Sequence, residues 1–393
     1  MSITFTPPYA PQAINTALAG ATQVAALSTL FDGKILNQED PLIWDNAGTG
    51  TPTFNNNTID LAVTAGQYRI RQARFFTPYF AGRAHRCELT ATKFQFETGL
   101  TKRLGYFSSN AVAPYDSTKD GWWIESGAGT YKLIVANAGT EIFNVDWTAW
   151  DGYAEFASYD WSKFTVAHAE FLWLGGAGLR LFFKAPGNAK WILAHTVSSA
   201  GTGTIPFMKS PQQPLRYEIR SSTGVGTFTA ICADVGTLST ETARARDVSV
   251  ANLSTITTNT VGTIYALKGI RKVAAFRDTR VKVTSYGGGI QGTASDAGIL
   301  LLLLNPTLSA PLTWAANSQF EEGTAVAQTI TAGTGTLLAS HQLFGSSSSQ
   351  MLTTNILSSL PVGIDNTMGQ IILAYSPFTV NQKCSGTINV SEA

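Results

Sequence analysis

The chain has 393 residues and a mass of 41.9 kDa, more than one hydrophobic core usually fills, so two or three domains are expected. Charged residues make up only 13% of it against 44% hydrophobic ones, and the net charge is +1. A surface this poor in charge has little electrostatic protection against association, which points to an obligate oligomer or a lattice protein. The same balance lacks the basic footprint of a nucleic-acid-binding domain. The most apolar run, Ile299–Leu304, is far shorter than the about 20 residues of a membrane-spanning helix, so neither nucleic acid nor membrane insertion is expected.

Residues 1–30 begin with Pro7, Pro8 and Pro11 and continue into an Ala-, Thr- and Leu-rich stretch. They read as an N-terminal arm suited to clasping a neighbouring subunit. No Lys or Arg precedes Lys34, so the charged start of a secretory signal is missing and folding in a host cytoplasm is expected. From Phe31 the signals are strands and turns, spaced as in a sandwich or jelly roll over 31–245. Arg69 to Arg103 is locally basic and reads as a solvated or inter-subunit face. Three hairpins are expected: Tyr131–Val135 with Ile142–Trp147 around NAGT, Leu179–Lys184 with Lys190–Val197 around Pro186-Gly187-Asn188, and Leu215–Arg220 with Thr227–Ala233 around Ser221–Gly226. Residues 246–260 are Ser/Thr-rich and read as a linker. Strand patterns then resume over 261–393 as a second, smaller β-sandwich, with Ile299–Leu304 as a strand buried on both faces and Gly287-Gly288-Gly289 as a loop.

Chemistry-bearing patterns are sparse. Cys87, Cys232 and Cys384 are odd in number and far apart, which argues against a disulfide framework or a zinc site and for buried free thiols at Cys87 and Cys232. His85, His168, His195 and His341 show no ligand spacing. The loop Asp116–Gly121 (DSTKDG) has the oxygen-rich character of a calcium loop without EF-hand spacing and is read as a turn. Glu155 and Asp160, set among aromatics, are the best candidates for a glycosidase carboxylate pair, but they lie singly rather than alternating along one strand. No catalytic, cofactor or metal residue is therefore assigned. Trp122, Trp123, Trp150 and Trp161 could stack on sugar rings or serve an interface. Because Trp122 and Trp123 are adjacent, they point to opposite faces of any strand, so one of them is expected to be exposed or in an interface.

A series of segments in fixed order carries a resemblance: FDGKILNQEDPLIW (31–44), AGTGTPTF (47–54), YRIRQARFFTPYFAGRAH (68–85), TKRLGYF (101–107), DGWWIES (120–126), FLWLGGAGLRLFF (171–183) and PLRYEIRSSTG (214–224). The region Phe31 to Ser222 resembles a family of structural proteins encoded by tailed bacteriophages. The resemblance implies a jelly-roll or concanavalin-like β-sandwich in a virion, as tail, fibre, baseplate, collar or head-decoration component, with copies of itself and other virion proteins as partners, and it brings no catalytic residues. Fibre-like trimers are expected by analogy. The alternatives are a carbohydrate- or receptor-binding module contacting a host-surface glycan and, more remotely, a polysaccharide depolymerase.

Overall fold

A computed structural model of the chain describes residues 28–34, 38–50, 52–109, 118–173, 178–186, 190–237, 246–251, 256–291, 296–325, 328–344, 349–353, 357 and 359–392. The protein is all-β and divides into two compact units, Met1–Ala73 with Tyr79–Thr242, and Arg74–Pro78 with Ala243–Ala393. Of the expected arm, only Ser28–Leu30 lie within the described residues, and they open the first strand.

The first unit carries strands β1 (Ser28–Lys34), β2 (Trp44–Gly48), β3 (Thr53–Asn55), β4 (Thr58–Val63), β5 (Tyr68–Ala73), β6 (His85–Thr92), β7 (Leu100–Ser108), β8 (Asp120–Gly127), β9 (Thr130–Asn137), β10 (Thr140–Asp146), β11 (Thr165–Phe171), β12 (Leu179–Lys184), β13 (Trp191–Val197), β14 (Leu215–Ser221) and β15 (Gly226–Thr237), with a single helical turn, α1 (Tyr153–Phe156). One sheet runs β13-β12-β11-β6-β15-β4-β3 with β1 also on β15, and the other runs β10-β9-β8-β7-β14-β5-β2. Every pairing is antiparallel.

The two sheets meet through side chains that strand alternation sends inward. In β6, His85, Cys87, Leu89 and Ala91 are buried while Arg86, Glu88, Thr90 and Thr92 are half-exposed. Tyr217 of β14 crosses the core: its ring packs beside Trp44 and Phe228, and its hydroxyl donates to the Cys232 carbonyl at 2.9 Å in the opposite sheet. Tyr106 packs on Phe171 with ring centroids 5.3 Å apart. These rings bury large apolar areas, the main favourable term in assembling the sandwich.

The hairpins β9/β10 and β12/β13 form as expected. In the first, Ala138 and Gly139 both have positive φ, 46° and 92°, which matches the right-handed twist of the flanking strands. The third expected hairpin does not form. β14 lies between β5 and β7, whereas β15 lies in the other sheet between β4 and β6, so Ser221–Gly226 crosses between sheets. Local turn chemistry could not separate a hairpin from a crossover of the same length.

The second unit carries β16 (Arg246–Ala251), β17 (Ile256–Thr258), β18 (Ile264–Lys272), β19 (Val281–Gln291), β20 (Ala297–Leu304), β21 (Thr313–Asn317), β22 (Phe320–Thr324), β23 (Thr329–Ile330), β24 (Thr336–Phe344), β25 (Ser349–Thr353), β26 (Gln370–Pro377) and β27 (Gln382–Glu392). They make a sheet β16-β27-β19-β25 with β17 on β27, and a sheet β21-β22-β18-β26-β20-β24 with β23 on β18. This is the expected second sandwich. Residues 246–260 are not merely a linker, because β16 and β17 pair with β27. Gly287-Gly288-Gly289 lies inside β19 rather than in a loop. A Cβ on Gly288 would fall 2.8 Å from the Ser385 carbonyl oxygen and 3.1 Å from Leu300, so the small residue permits close sheet packing.

Lys272 ends β18 fully buried, its Nζ donating to the Arg277 carbonyl at 3.0 Å. Burial pulls its ammonium from 10.5 to about 7, against the opposing attraction of Asp278. The folded chain thus releases this proton before the unfolded chain does. The resulting stability contribution rises with pH between about 7 and 10, and the burial cost is fully present below 7. Lys272→Met is expected to stabilise the protein by about 1–2 kcal/mol at pH 7, with the gain shrinking toward pH 10. Urea unfolding at both pH values checks this, and a variant less stable than the parent at pH 7 would contradict it.

Candidate functional site

The outer face of the eight-stranded sheet gathers groups from segments far apart in sequence. Register places Asp32, Asp234, Glu88, His168, Phe182 and Leu193 in one row across β1, β15, β6, β11, β12 and β13. The adjacent row holds Arg86, Glu170, Arg180 and Thr196. Facing residues on neighbouring strands lie about 5 Å apart, so their side chains interact directly.

His168 is the centre of this array. Its Nδ1 lies 3.1 Å from Glu88 Oε1 and its Nε2 3.3 Å from Glu170 Oε1. A neutral imidazole has one donor and one acceptor nitrogen, and here both ring nitrogens face a carboxylate oxygen. The ring packs against Phe182 and Trp191, with centroids 5.5 and 5.0 Å away. Trp191 is half-exposed on the edge strand β13, with Lys184 Nζ 4.5 Å from its ring centre. Glu170 is buried, and its Oε2 has no hydrogen-bond partner.

The two neighbouring carboxyls Glu88 and Asp234 are driven apart in acidity. Burial alone would push Glu88 up, but hydrogen bonds from His168 and Arg86, with their charges, outweigh it and hold the carboxyl at about 2. Asp234 is pushed up to about 6 by burial and then by the charge of Glu88 facing it. Titratable groups shifted in opposite directions at one surface are characteristic of functional sites.

The residues singled out from sequence lie elsewhere. Trp122, Trp123, Trp150 and Trp161 are all buried, none more than 3% exposed, and so offer no aromatic face to solvent. Trp122 and Trp123 do point to opposite sides of β8. Trp123, however, packs with Phe107, Ile134 and Ala136 on the outer side of its sheet, and that side is buried too. The inference that one must be exposed failed because both faces of this sheet are covered. Trp150 and Trp161 join a core cluster around Phe183, at 5.9 and 5.2 Å.

Glu155 is exposed on α1. Asp160 is an exposed residue whose carboxylate accepts from the Ser162 hydroxyl and backbone N–H, which lower its pKa. A catalytic acid needs the opposite shift, so Asp160 does not fit that role. Within DSTKDG, Asp116 and Ser117 lie outside the described residues. Asp120 accepts from the backbone N–H groups of Lys209 and Ser210 and from Gln213 Nε2, at 2.7, 2.8 and 2.6 Å, so its oxygens tie loops together rather than facing a cation. Of the basic stretch, Arg71 and Lys102 are buried, Arg71 on Glu39 at 2.9 Å and Lys102 on Glu97 at 2.7 Å, so they belong to the interior and not to a solvated face. Cys232, expected buried, is exposed on the same outer face as Asp234.

Sequence reasoning missed the Glu88–His168–Glu170 array. The signal was present in the alternation of HRCELTAT (85–92) and TVAHAEF (165–171), where Arg86 and Glu88, and His168 and Glu170, are each spaced by two, but only pairing of β6 with β11 brings them together. A separate recess lined by Asn46, Gly48, Arg69 and Ile70 holds about 50 Å³, room for water and not for a sugar ring.

No protein-family model matches the chain, and a search of curated proteins finds no match. Among solved structures, the exoplasmic/lumenal domain of VIP36 in a Ca²⁺/Man-bound form aligns at 11% identity over 56% of this chain and 94% of that one, with a TM-score of 0.37. A structure from a study of endo-acting O-glycanases of prominent human gut microbiota aligns at 12% identity over 55% of this chain and all of that one, with a TM-score of 0.38. The legume lectin-like domain from Entamoeba histolytica aligns at 10% over 54% and 98%, with a TM-score of 0.34. At TM-scores this low the likenesses decide neither ligand nor activity.

The Asp234 shift has a measurable consequence. The folded chain keeps this proton up to about pH 6 whereas the unfolded chain loses it near 3.8. Stability therefore falls as pH rises between those values, and the penalty is fully present above 6. After allowance for solvent screening, Asp234→Asn is expected to gain about 1 kcal/mol at pH 7.5 and nothing at pH 3.5. An equal gain at both pH values in denaturant unfolding would show that the effect is not titration.

Proposed function

We propose that the chain is a non-enzymatic carbohydrate-binding protein whose first sandwich holds a glycan on the outer face of its eight-stranded sheet. The observation that carries this reading is the Glu88–His168–Glu170 array beneath the half-exposed Trp191. Sugars present apolar C–H faces and a rim of hydroxyls. An indole offers the matching flat apolar surface, and fixed carboxylates and guanidinium groups supply oriented acceptors and donors. Half-exposed Glu88 and Arg86 can each serve in that way while remaining hydrogen-bonded to one another.

The row ends in exposed Asp32 on one side and exposed Leu193 on the other. A row whose accessible members are Asp32, Asp234, Glu88 and Leu193, with His168 and Phe182 buried between them, suits an extended chain lying across strands. It suits bond hydrolysis poorly, since that chemistry gains from exclusion of water around the reacting atoms. Trp191→Ala and Glu88→Gln are each expected to weaken glycan binding about tenfold or more, as measured by calorimetry with a polysaccharide first identified on a glycan array. Binding unchanged in both variants would remove this face from consideration.

A second reading, a component of a tailed-phage virion, is supported by the ordered segments between Phe31 and Ser222 and by the 13% charged residues. It is compatible with glycan binding at a particle surface. Mass spectrometry of purified particles of the encoding phage is expected to find the chain at structural copy number, and its absence would exclude this location.

A further inference from the structure

We infer that β24 is a self-association edge through which two copies of the chain pair their second sandwiches antiparallel about a twofold axis. β24 terminates its sheet and, among the described residues, pairs only with β20. Its sequence, TLLASHQLF, contains no Lys, Arg, Asp, Glu or Pro. Edge strands of soluble proteins are ordinarily shielded by such residues, because a free row of N–H and C=O groups recruits another strand. Three other edges carry that protection: β10 has Glu141 and Asp146, β2 has Asp45, and β16 has Arg246 and Asp247. β13 is as free of charge as β24, but its backbone is engaged by the Asp151 carboxylate and the Gly152 N–H, and the uncharged edges β3, β21 and β25 are at most five residues long. β24 has none, and it adds apolar side chains, with Phe344 63% and Leu337 55% exposed. On the same face as Phe344, Ile299 and Leu301 of the adjacent β20 are half-exposed.

A second copy fits this edge better than a charged partner would. The strand is uncharged, so pairing with itself opposes no like charges. A twofold perpendicular to the sheet must also place one residue opposite its own counterpart, because facing side chains share a side of the sheet. A bulge at Leu338 interrupts the ladder with β20 and confines the flat run to Ala339–Phe344. Centring the axis on Gln342, exposed in this run, sets two carboxamides face to face, each able to donate and accept. It also places Phe344 opposite Ser340 of the partner subunit, a small residue over which the ring can lie. A strand pair this short falls below the about 1,000 Å² of a standard stable interface, so micromolar affinity is expected.

The test is sedimentation equilibrium of the full chain from about 1 to 100 µM. The parent is expected to move from monomer toward dimer across this range. Gln342→Lys and Gln342→Glu, which set like charges opposite one another at the axis, are each expected to remain monomeric, and an equimolar mixture of the two is expected to recover a dimer. Thr331→Lys, at an exposed turn that precedes β24 and lies outside the run Ala339–Phe344, is expected to associate like the parent. Circular dichroism melts matching the parent show that the substitutions have not unfolded the sandwich. A parent chain monomeric at about 100 µM, or a Gln342→Lys variant that associates as the parent does, would overturn the proposal.

Discussion

The packing of two antiparallel sheets against each other fixes which side of every strand in the first unit faces solvent. Tyr217 makes the constraint concrete. Its ring sits between Trp44 and Phe228, and its hydroxyl is satisfied by a carbonyl of the opposite sheet. A one-residue slip of β14 would carry the ring out of the core and leave both the hydroxyl and the Cys232 carbonyl without that bond. With that register set, Arg216 and Glu218 fall on the outer side of one sheet. In the other sheet the alternation that buries Cys87 and Ala169 turns Glu88 and His168 outward.

The two outer faces then take different characters. On the seven-stranded sheet, Glu218, Arg103, Glu125, Lys132 and Asp146 form a row of alternating sign across five strands. Arg103 binds Glu125 through Nε at 2.7 Å. The end of this row nearest Glu218 is buried together with Trp123 and Phe107, where Arg103 pairs with Glu125 and Glu218 lies 3.6 Å from Arg216, so these charges serve the fold. On the eight-stranded sheet the corresponding row is unbalanced: Asp32, Asp234 and Glu88 stand side by side before His168. A balanced ladder contributes stability, whereas an unbalanced one leaves Asp234 holding its proton up to about pH 6. The imbalance has a cost in the isolated fold, and the outer face of the eight-stranded sheet is where a ligand could offset it.

Much of this organisation was legible in the residues. Alternation in segments such as Ile142–Trp147 and the turn at Ala138-Gly139 specify a hairpin through local geometry alone, and Ile299–Leu304 announces itself as a strand by its apolar run. What failed was everything that depends on which strands become neighbours. Ser221–Gly226 has the chemistry of a hairpin loop but connects two sheets. Trp122 and Trp123 are correctly sent to opposite faces, yet both faces of their strand are covered. The His168 array is unreadable from spacing, because 80 residues separate Glu88 from His168 and only sheet register joins them.

Low charge content acquires a structural explanation from where the charges go. Arg71 with Glu39, Lys102 with Glu97, Arg216 with Glu218 and Lys268 with Glu322 are pairs in which at least one member is buried. These pairs draw some ionised groups inward from a short supply, so the exterior carries fewer still. Such an exterior resists association weakly, and an unguarded edge strand like β24 is then tolerated only where pairing is harmless or useful. An open sugar-binding face makes few contacts per copy and binds weakly by itself. Joining two such faces through a second, independent surface raises avidity without any new contact to the ligand. The proposed glycan site and the proposed β24 pairing are therefore consistent demands on one chain, each making up for what the other lacks.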